Sequence, residues 1–361
     1  RFSGDEFVFL CEDLHCATDV EVLAGRICDA FSTPFVVSGI ELRVSASVGI
    51  AFAGPAEAVS AQLLTKADMA MYDVKRRGGD GREIVDLRQA MLHAAEDSQE
   101  SDLRHALAGG ELELAYQPIV NTLDGKIVGV EALLRWNHPE RGPIAPQTIV
   151  ALAEQCDLID ELGAWILERS CRDRMTWMHS HPGTSLYVAV NMSAHQLLSP
   201  GLYTTITDVL TATETEPNAL ILELTETIFI EDTTRTMRVL KDLEKLGLRL
   251  ALDDFGTGYS SLSYLARLSL DIVKIDRGFV ANIGHDPTNR AIVVAIVNLA
   301  HILGLSVIAE GVEDQRQYDE IAATGCEFAQ GRHFAAPMAA TEIGLLIDAC
   351  LGGRQALAPT S

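Results

Sequence analysis

The stretch LRLALDDFGTGYS, residues 248–260, decides how the chain folds. An apolar run leads into two adjacent aspartates, Asp253 and Asp254, and a glycine-rich turn follows. This order is typical of a buried strand that ends where the chain leaves the core. Adjacent carboxylates repel each other, and burying them is costly unless a cation or a hydrogen-bond donor compensates their charge. The pair therefore predicts a site for positive charge at the end of this strand.

Similar apolar runs recur on both sides of this stretch. In chain order the eight runs are LELAYQPIV (112–120), KIVGVEALLRW (126–136), LYVAVNMS (186–193), LILELTE (220–226), LRLALDDFG (248–256), DIVKIDR (271–277), LSVIAEGVE (305–313) and CEFAQGRHF (326–334). Most of the later runs are separated by stretches with helical spacing, such as residues 233–248. Eight strands with helical crossovers predict an α/β fold, a TIM-like (β/α)8 barrel. Only NTLDGK separates the first two runs, which is too short for a parallel crossover, so we expect an antiparallel first strand and an irregular barrel.

Polar side chains lie at or near the C-terminal end of every run. In chain order they are Gln117, Glu131, Asn191, Glu223, Asp253 with Asp254, Lys274 with Asp276, Glu310 and Gln330. The C-terminal strand ends of a barrel converge on one face, where active sites are built. Carboxylate and amide oxygens are hard ligands that suit Mg²⁺ or Mn²⁺. We expect two divalent cations there, with Asp253 and Asp254 each reaching a different ion or one of them bridging both.

The composition restricts the partners and the compartment. The formal net charge of −23 argues against a nucleic-acid polymer or an anionic membrane as partner. The seven cysteines are odd in number, scattered and without a CxxC motif, which favours reduced thiols and a cytoplasmic protein. The chain starts at Arg1 without an initiator Met, which favours a piece of a longer protein.

One long apolar stretch, AIVVAIVNLAHILGLSVIA at residues 291–309, has the length of a membrane span. Asn298, His301 and Gly304 interrupt it, whereas a span needs about 20 predominantly apolar residues. We therefore expect a buried helix to about Leu303, a stop at Gly304 and then a strand, with no membrane contact in this chain.

The N-terminal quarter has a different pattern. Residues 1–88 contain the strand-like runs FVFLCEDL (7–14) and ELRVSASVGIAF (41–52), followed by an amphipathic helix within residues 60–81 that Ser60 would cap. Residues 89–108 are polar and helix-prone, which predicts a connector. Residues 109–361 carry the eight runs and are predicted to form one large α/β domain.

Several motifs resemble those of a known family. EALLRW (131–136), NMS (191–193), ELTE (223–226), DDFGTGYSSL (253–262), KID (274–276), EGVE (310–313) and QG (330–331) match, in order, the motifs of EAL-domain cyclic di-GMP phosphodiesterases. RFSGDEF (1–7), SASVGIA (45–51) and ADMAMYDVK (67–75) resemble GGDEF domains. The chain is thus identified as a member of the GGDEF–EAL family, and we expect its N-terminal part to be a partial α+β GGDEF-type domain without the family's first strand. We expect no cyclic di-GMP synthesis from residues 1–88.

The resemblance implies an activity and assigns residues to it. The activity would be metal-dependent hydrolysis of cyclic di-GMP to linear pGpG by two Mg²⁺ or Mn²⁺ ions, in a homodimer formed through the EAL domain. The implied metal ligands are Glu131, Asn191, Glu223, Asp253, Asp254 and Asp276. The implied catalytic residues are Glu131, Lys274, Asp254 and Glu310. Among them, Lys274 would contact the attacking water or the phosphate. Substrate contacts fall to Gln117, Arg135 and Gln330, and Glu226 would position the loop after Asp254.

Other functions of the protein and other roles for some of its residues remain possible. A catalytically silent EAL domain could bind cyclic di-GMP without cleaving it, although the complete motif set favours the enzyme. A barrel enzyme acting through a metal on an enolate would share the carboxylates but would not explain the ordered motifs. Asp276 could instead position Lys274, Glu226 could form a strand-end ion pair, and Gln330 could cap backbone groups.

Overall fold

The structure is a computed structural model that describes residues 1, 6–11, 17–52, 61–77, 81–86, 99–225, 228, 233–256 and 269–351. The chain divides into two compact units, Arg1–Ser101 and Asp102–Ser361. Among the described cysteines, all are free thiols, namely Cys11, Cys28, Cys156, Cys171, Cys326 and Cys350.

The first unit combines two helices with two small sheets. The helices are Ala17–Ser32 and Ala61–Arg77. Strands β1 (Phe35–Val37) and β2 (Ile40–Leu42) pair antiparallel, whereas β3 (Ser47–Phe52) and β4 (Gly81–Asp86) pair parallel. The helix Ala61–Arg77 confirms the helix predicted within residues 60–81, while its predicted cap Ser60 lies outside the described residues. Gly49 lets this helix lie directly on β3, because a Cβ there would collide with the backbone at Ala67 and Met71.

The strand predicted at FVFLCEDL is wrong for residues 7–11, which adopt no regular structure, and residues 12–14 are not described. The side chains of Phe7, Val8, Phe9 and Leu10 are 51–72% exposed. An extended apolar segment becomes a strand only where a neighbouring strand pairs with its backbone. Residues 7–11 make no such pairing, and the isolated bridge at Glu6 lies just before them, so the apolar pattern alone was insufficient.

The second unit is built around a closed barrel. In chain order its strands are β5 (Leu112–Asn121), β6 (Ile127–His138), β7 (Gly142–Ile144), β8 (Tyr187–Met192), β9 (Leu220–Thr225), β10 (Arg249–Phe255), β11 (Ile272–Ile275), β12 (Ser306–Ala309), β13 (Phe328–Gln330) and β14 (Met338–Ala339). Within the described residues, eight of them close in the order β5-β13-β12-β11-β10-β9-β8-β6, and β6 pairs back onto β5. Strand β5 is antiparallel to both neighbours and the other barrel pairings are parallel. The predicted irregular barrel with an antiparallel first strand is confirmed.

Helices cover the outside of this barrel. They span residues 99–109, Pro146–Gln155, Ile159–Ser180, Ala194–Leu197, Leu202–Thr213, Thr233–Leu246, Arg277–Ala281, Pro287–Ile302, Gln315–Ala323 and Ala340–Leu351. The main apolar core lies between the helices and the strands. The helix at 99–109 overlaps the predicted connector, and its Leu103 and Ala106 are fully buried in that core.

The apolar stretch 291–309 folds as predicted. The helix Pro287–Ile302 ends just before Gly304, whose φ of +76° is one that glycine adopts readily, and β12 follows. In the part of the chain that the structure describes, no helix has both the length and the apolarity needed to cross a bilayer.

Candidate active site

Two layers of side chains fill the barrel interior. The lower, apolar layer includes Ile119, Ala189, Ile221, Ala251, Ile272 and Ile308. Side chains of a strand alternate between its two faces, so residues two positions apart point the same way. Two positions beyond the apolar residues, toward the rim, lie respectively Gln117, Asn191, Glu223, Asp253, Lys274 and Glu310. The period-2 pattern therefore places the predicted site residues in one polar layer at the C-terminal rim, the face where the parallel strands end.

Gln117 reaches this layer differently from the expectation. Strand β5 runs antiparallel, so Gln117 lies before Ile119 in the chain and within the strand instead of at its C-terminal end. Its register partner on β6 is Glu131. The expectation of a C-terminal strand end for Gln117 was wrong, because that rule holds for parallel strands only.

Lys274 is the centre of the polar layer. Its Nζ lies 2.6 Å from Glu310 Oε1, 2.7 Å from Glu223 Oε2, 3.3 Å from Asp253 Oδ1 and 3.7 Å from Glu131 Oε2. The lysine side chain is completely buried. Since each carboxylate comes from a different strand or strand end, one ammonium group ties together a large part of the rim.

Burial and charge pull the pKa values of this group in opposite directions. Burial lowers the pKa of Lys274, but the surrounding carboxylates outweigh it and hold that pKa well above its ordinary value. Burial raises the pKa of Glu223 well above normal and that of Glu310 to about 7, against the opposing charge of Lys274. Burial also opposes ionisation of Glu131, yet Lys274 and the hydrogen bonds from Gln330 and Asn191 lower its pKa.

Two amides donate hydrogen bonds to Glu131, and a third amide, that of Gln117, bonds to one of them. Asn191 Nδ2 donates to Glu131 Oε1 at 2.8 Å, and Gln330 Nε2 donates to Glu131 Oε2 at 2.7 Å. Gln330 Nε2 also lies 3.0 Å from Gln117 Oε1, while Gln117 Nε2 donates to the Ala335 carbonyl at 3.0 Å. Because these bonds join β5, β6, β8 and β13, the Glu131 carboxylate is fixed in a single orientation.

The two adjacent aspartates have different environments. Asp253 is nearly buried and its Oδ1 accepts a hydrogen bond from the Asp254 backbone N–H at 3.0 Å, whereas Asp254 is exposed. Asp254 has a φ of +54°, and the β10–β11 register shifts between Leu252 and Phe255. Burial, and then the charges of Asp253 and Asp276, raise the pKa of Asp254. Carboxylate oxygens of Asp253, Asp254 and Glu310 lie within 4.8 Å of one another, which is a spacing that one metal ion can bridge.

The residues present fit a divalent cation. Glu223 Oε1 is buried and accepts no hydrogen bond among the described residues. A buried carboxylate oxygen of this kind needs a cation or a donor. If all were ionised, the carboxylates of Glu131, Glu223, Asp253, Asp254 and Glu310 would exceed the charge of Lys274 by four, which two divalent cations would balance.

Other predicted site residues lie at the edge of this group. Arg135 is four positions beyond Glu131 on the same face of β6, is partly exposed, and donates from Nη1 to the Leu134 carbonyl at 2.8 Å. Asp276 caps the helix Arg277–Ala281, with Oδ1 accepting from Gly278 N at 2.9 Å, and its charge acts on Asp254. Glu226 and the loop 257–268 lie outside the described residues.

Sequence reasoning missed how the site is supported from below. The Tyr187 ring lies beneath the polar layer, so close to Gly129 that a Cβ there would collide with it. The guanidinium of Arg249 lies 4.6 Å from the centre of the same ring. The available signal was Gly129, a glycine within a strand, which often marks a close approach by another group.

Comparison with known proteins agrees with this geometry. The EAL domain profile matches residues 100–337, and the profile of the diguanylate cyclase GGDEF domain matches residues 1–81. The bifunctional diguanylate cyclase/cyclic di-GMP phosphodiesterase MucR of Pseudomonas aeruginosa is 39% identical over 95% of this chain and 50% of its own length. The cyclic di-GMP phosphodiesterase NbdA of the same species is 37% identical over 94% of this chain and 43% of its own. This chain thus spans about half or less of these relatives.

Solved structures give the same result. The PaMucR phosphodiesterase in complex with c-di-GMP is 42% identical, with a TM-score of 0.64 over 67% of this chain and 98% of that chain. The EAL enzyme Bd1971 in its cAMP-bound form is 30% identical, with a TM-score of 0.67 over 72% of this chain and 73% of that chain. Together with the barrel and its acidic rim, these matches show that the chain belongs to the EAL domain family and carries a GGDEF-family segment at its N-terminal end.

Proposed function

We propose that residues 109–361 form a phosphodiesterase domain that hydrolyses cyclic di-GMP to linear pGpG with Mg²⁺ or Mn²⁺. The observation that carries this proposal is the rim itself, where Asp253, Asp254 and Glu310 offer carboxylate oxygens within 4.8 Å of one another beside the buried carboxylate of Glu223. The relatives MucR and NbdA, whose names include cyclic di-GMP phosphodiesterase, support the same substrate.

The proposed metal ligands are those that the EAL-family motifs imply, and their places on the barrel strands support the assignment. Glu131, Asn191, Glu223 and Asp253 lie on consecutive barrel strands and would hold one ion. Asp254, with Asp276 and Glu310 beside it, would hold a second. Bound ions of this kind lower the pKa of water and neutralise phosphate oxygens. They would also give this acidic protein a means of binding an anionic substrate.

The chain's own residues would bind and orient the nucleotide. Arg135, partly exposed on the same face as Glu131, can present its planar guanidinium to a phosphate. Gln117 and Gln330 are the proposed amide contacts, and both also fix Glu131 through their mutual hydrogen bond. The three shortest contacts of the Lys274 ammonium are all to carboxylates. To contact water or phosphate, as proposed, it must therefore first release one of them.

The loop after Asp254 is proposed to contribute to a homodimer, with Glu226 positioning it. This proposal rests on the family alone, since Glu226 and residues 257–268 are not described. Light scattering at assay concentrations tests it, and a monomer would contradict it.

The activity is tested by incubating the protein with cyclic di-GMP and Mg²⁺ and separating the products by chromatography. We expect pGpG to accumulate and to be absent in EDTA. The alternative, a silent domain that binds cyclic di-GMP, predicts bound and unchanged nucleotide under both conditions. The carboxylate oxygens gathered at the rim, together with the unpartnered Glu223 Oε1 among the described residues, favour the enzyme.

A further inference from the structure

Among the described residues, every carboxylate within 4 Å of the Lys274 ammonium belongs to the proposed metal site. An ammonium group has three N–H donors. The three shortest contacts of Nζ, to Glu310, Glu223 and Asp253, are all to carboxylates, and Glu131 is the next at 3.7 Å. With its side chain 0% exposed, the lysine presents no surface to solvent or to a substrate in this arrangement.

The position of Lys274 suggests a role in the protein without metal. Carboxylates from β6, β9 and β10 and the one that follows β12 converge on a volume from which water is largely excluded. Without a cation they would repel one another, and each would have lost its hydration without a compensating charge. Nζ lies within 4 Å of all four carboxylates, so its single positive charge attracts each of them and reduces their mutual repulsion.

We infer that Lys274 is a built-in counter-cation, which holds the rim carboxylates together in the metal-free protein and competes with metal ions for them. This inference rests on the proposed function in one respect, namely that metal ions bind to these carboxylates. Lys274 acts through the carboxylates and is therefore a positioning residue in this state.

The inference predicts two opposite effects of removing the charge. Without metal, the variant leaves buried carboxylates uncompensated, which is among the more destabilising changes in a protein. With metal, the variant lacks a positive charge that repels the incoming ion and occupies its ligands, so the ion should bind more tightly. A lysine that only orients the ligands would produce the first effect but would weaken metal binding.

The experiment compares wild type with Lys274→Met, which keeps an unbranched side chain and removes the charge. Lys245→Met is the matched control, because Lys245 is 74% exposed and pairs with Asp242 on a helix surface. Melting temperatures are measured in EDTA and in Mn²⁺, and electron paramagnetic resonance of free Mn²⁺ gives the dissociation constant. Neither readout depends on nucleotide turnover.

For Lys274→Met we expect a melting temperature about 5–15 °C below wild type in EDTA. We also expect a Mn²⁺ dissociation constant about tenfold or more below wild type. Mn²⁺ should therefore raise the melting temperature of Lys274→Met by more than that of wild type. The control Lys245→Met should match wild type in all three measurements, because exposed ion pairs contribute little.

Either of two results would overturn the inference: an unchanged melting temperature of Lys274→Met in EDTA, or weaker Mn²⁺ binding. If Lys274→Met folds only when Mn²⁺ is present, that result supports it. If it does not fold at all, Lys274→Gln, which keeps a donor but no charge, must show both effects, and weaker Mn²⁺ binding by that variant contradicts the inference. Wild type that binds no Mn²⁺ would instead contradict the proposed metal-dependent function, while the comparison in EDTA still tests the counter-cation.

Discussion

At the scale of single residues, Glu131 is the most tightly constrained carboxylate of the rim. It accepts hydrogen bonds from Asn191 and Gln330 and lies 3.7 Å from the Lys274 ammonium. These groups lower its pKa despite burial, so Glu131 is held as a charged, oriented ligand. A change at this position should therefore affect the chemistry more than the fold.

We predict that Glu131→Gln lowers cyclic di-GMP turnover by about 10²-fold or more, because a neutral amide neither attracts a cation nor stabilises the charges of the transition state. The barrel should remain folded, since the residue lies in the polar layer and not in the apolar core. Turnover assays and circular dichroism check both parts. Glu168→Gln, on a helix surface and paired with Arg172, is the control and should behave as wild type. Near wild-type turnover in Glu131→Gln would show that the proposed ligand assignment is wrong.

Asp254 allows a second test of a single residue, because its backbone conformation suits asparagine as well as aspartate. Its φ of +54° is one that Asn tolerates better than most residues, so Asp254→Asn removes the charge without straining the turn. We predict a loss of turnover of about 10²-fold with little change in nucleotide affinity, because this carboxylate acts mainly on charge that develops in the transition state. Isothermal titration and turnover assays measure the two quantities. Loss of affinity with an unchanged rate would contradict the proposed role.

At the scale of elements, the end of β13 is locked to the chain after β12. Val312 N donates to the Gln330 carbonyl at 3.0 Å, and His333 N donates to the Val312 carbonyl at 2.9 Å. Gly331 lies against the Val312 backbone with no room for a Cβ. Gln330 directly precedes Gly331, and Glu310 lies two residues before Val312. The close approach of Gly331 to Val312 therefore holds Gln330 and Glu310 in the same layer.

We predict that Gly331→Ala destabilises the protein by about 1–3 kcal/mol and also lowers turnover, because the added methyl must push two backbone segments apart. Urea unfolding and the turnover assay measure these effects. Gly344→Ala is the matched control, since a Cβ at this helical position would have Trp177 Cδ1, at 3.8 Å, as its single neighbour within 4 Å among the described residues outside its own helix backbone. Alanine there should leave stability unchanged or raise it by up to about 1 kcal/mol. Equal stability of the two variants would argue against a locked β13 end.

The elements also show what the sequence could predict. Side chains alternate between the two faces of each barrel strand, so Asp253 lies on the same face as Ala251, and Glu223 on the same face as Ile221. This alternation is visible in the sequence and predicts the positions of most of the site residues. The short NTLDGK connection required the antiparallel β5. Contacts set by tertiary packing were not predictable, because nothing local in the sequence encodes which partner a side chain meets. The gathering of four carboxylates on Lys274 and the burial of His333 beside Tyr318 are examples.

At the scale of the whole molecule, residues 102–109 of the helix at 99–109 belong to the second unit and pack in its core. Leu103 and Ala106 are fully buried, and Asp102 Oδ2 lies 3.1 Å from His138 Nε2 and 3.0 Å from Arg141 Nη2. Since β6 carries both His138 and Glu131, this helix supports a strand of the site.

We predict that a fragment of residues 99–361 folds and turns over cyclic di-GMP, whereas residues 110–361 are less stable by about 3 kcal/mol or more. Burial of a leucine side chain alone contributes about 1.5–3 kcal/mol, and the shorter fragment also loses Ala106 and the partner of His138. Urea unfolding of both fragments measures the difference. Equal stability would mean that the domain begins after this helix, at the predicted boundary of residue 109.

Cyclic di-GMP affinity and pGpG formation, measured side by side in Mg²⁺ and in Ca²⁺, test whether the acidic rim performs metal-dependent cleavage. Both ions suit oxygen ligands, but Mg²⁺ requires near-octahedral geometry at about 2.0–2.1 Å, whereas Ca²⁺ takes more ligands at about 2.3–2.6 Å. Of these two ions, we expect both to support nucleotide binding and only Mg²⁺ to support pGpG formation. Cyclic di-GMP that stays bound and uncleaved in Mg²⁺ and in Mn²⁺, or equal turnover in Ca²⁺ and Mg²⁺, would contradict it.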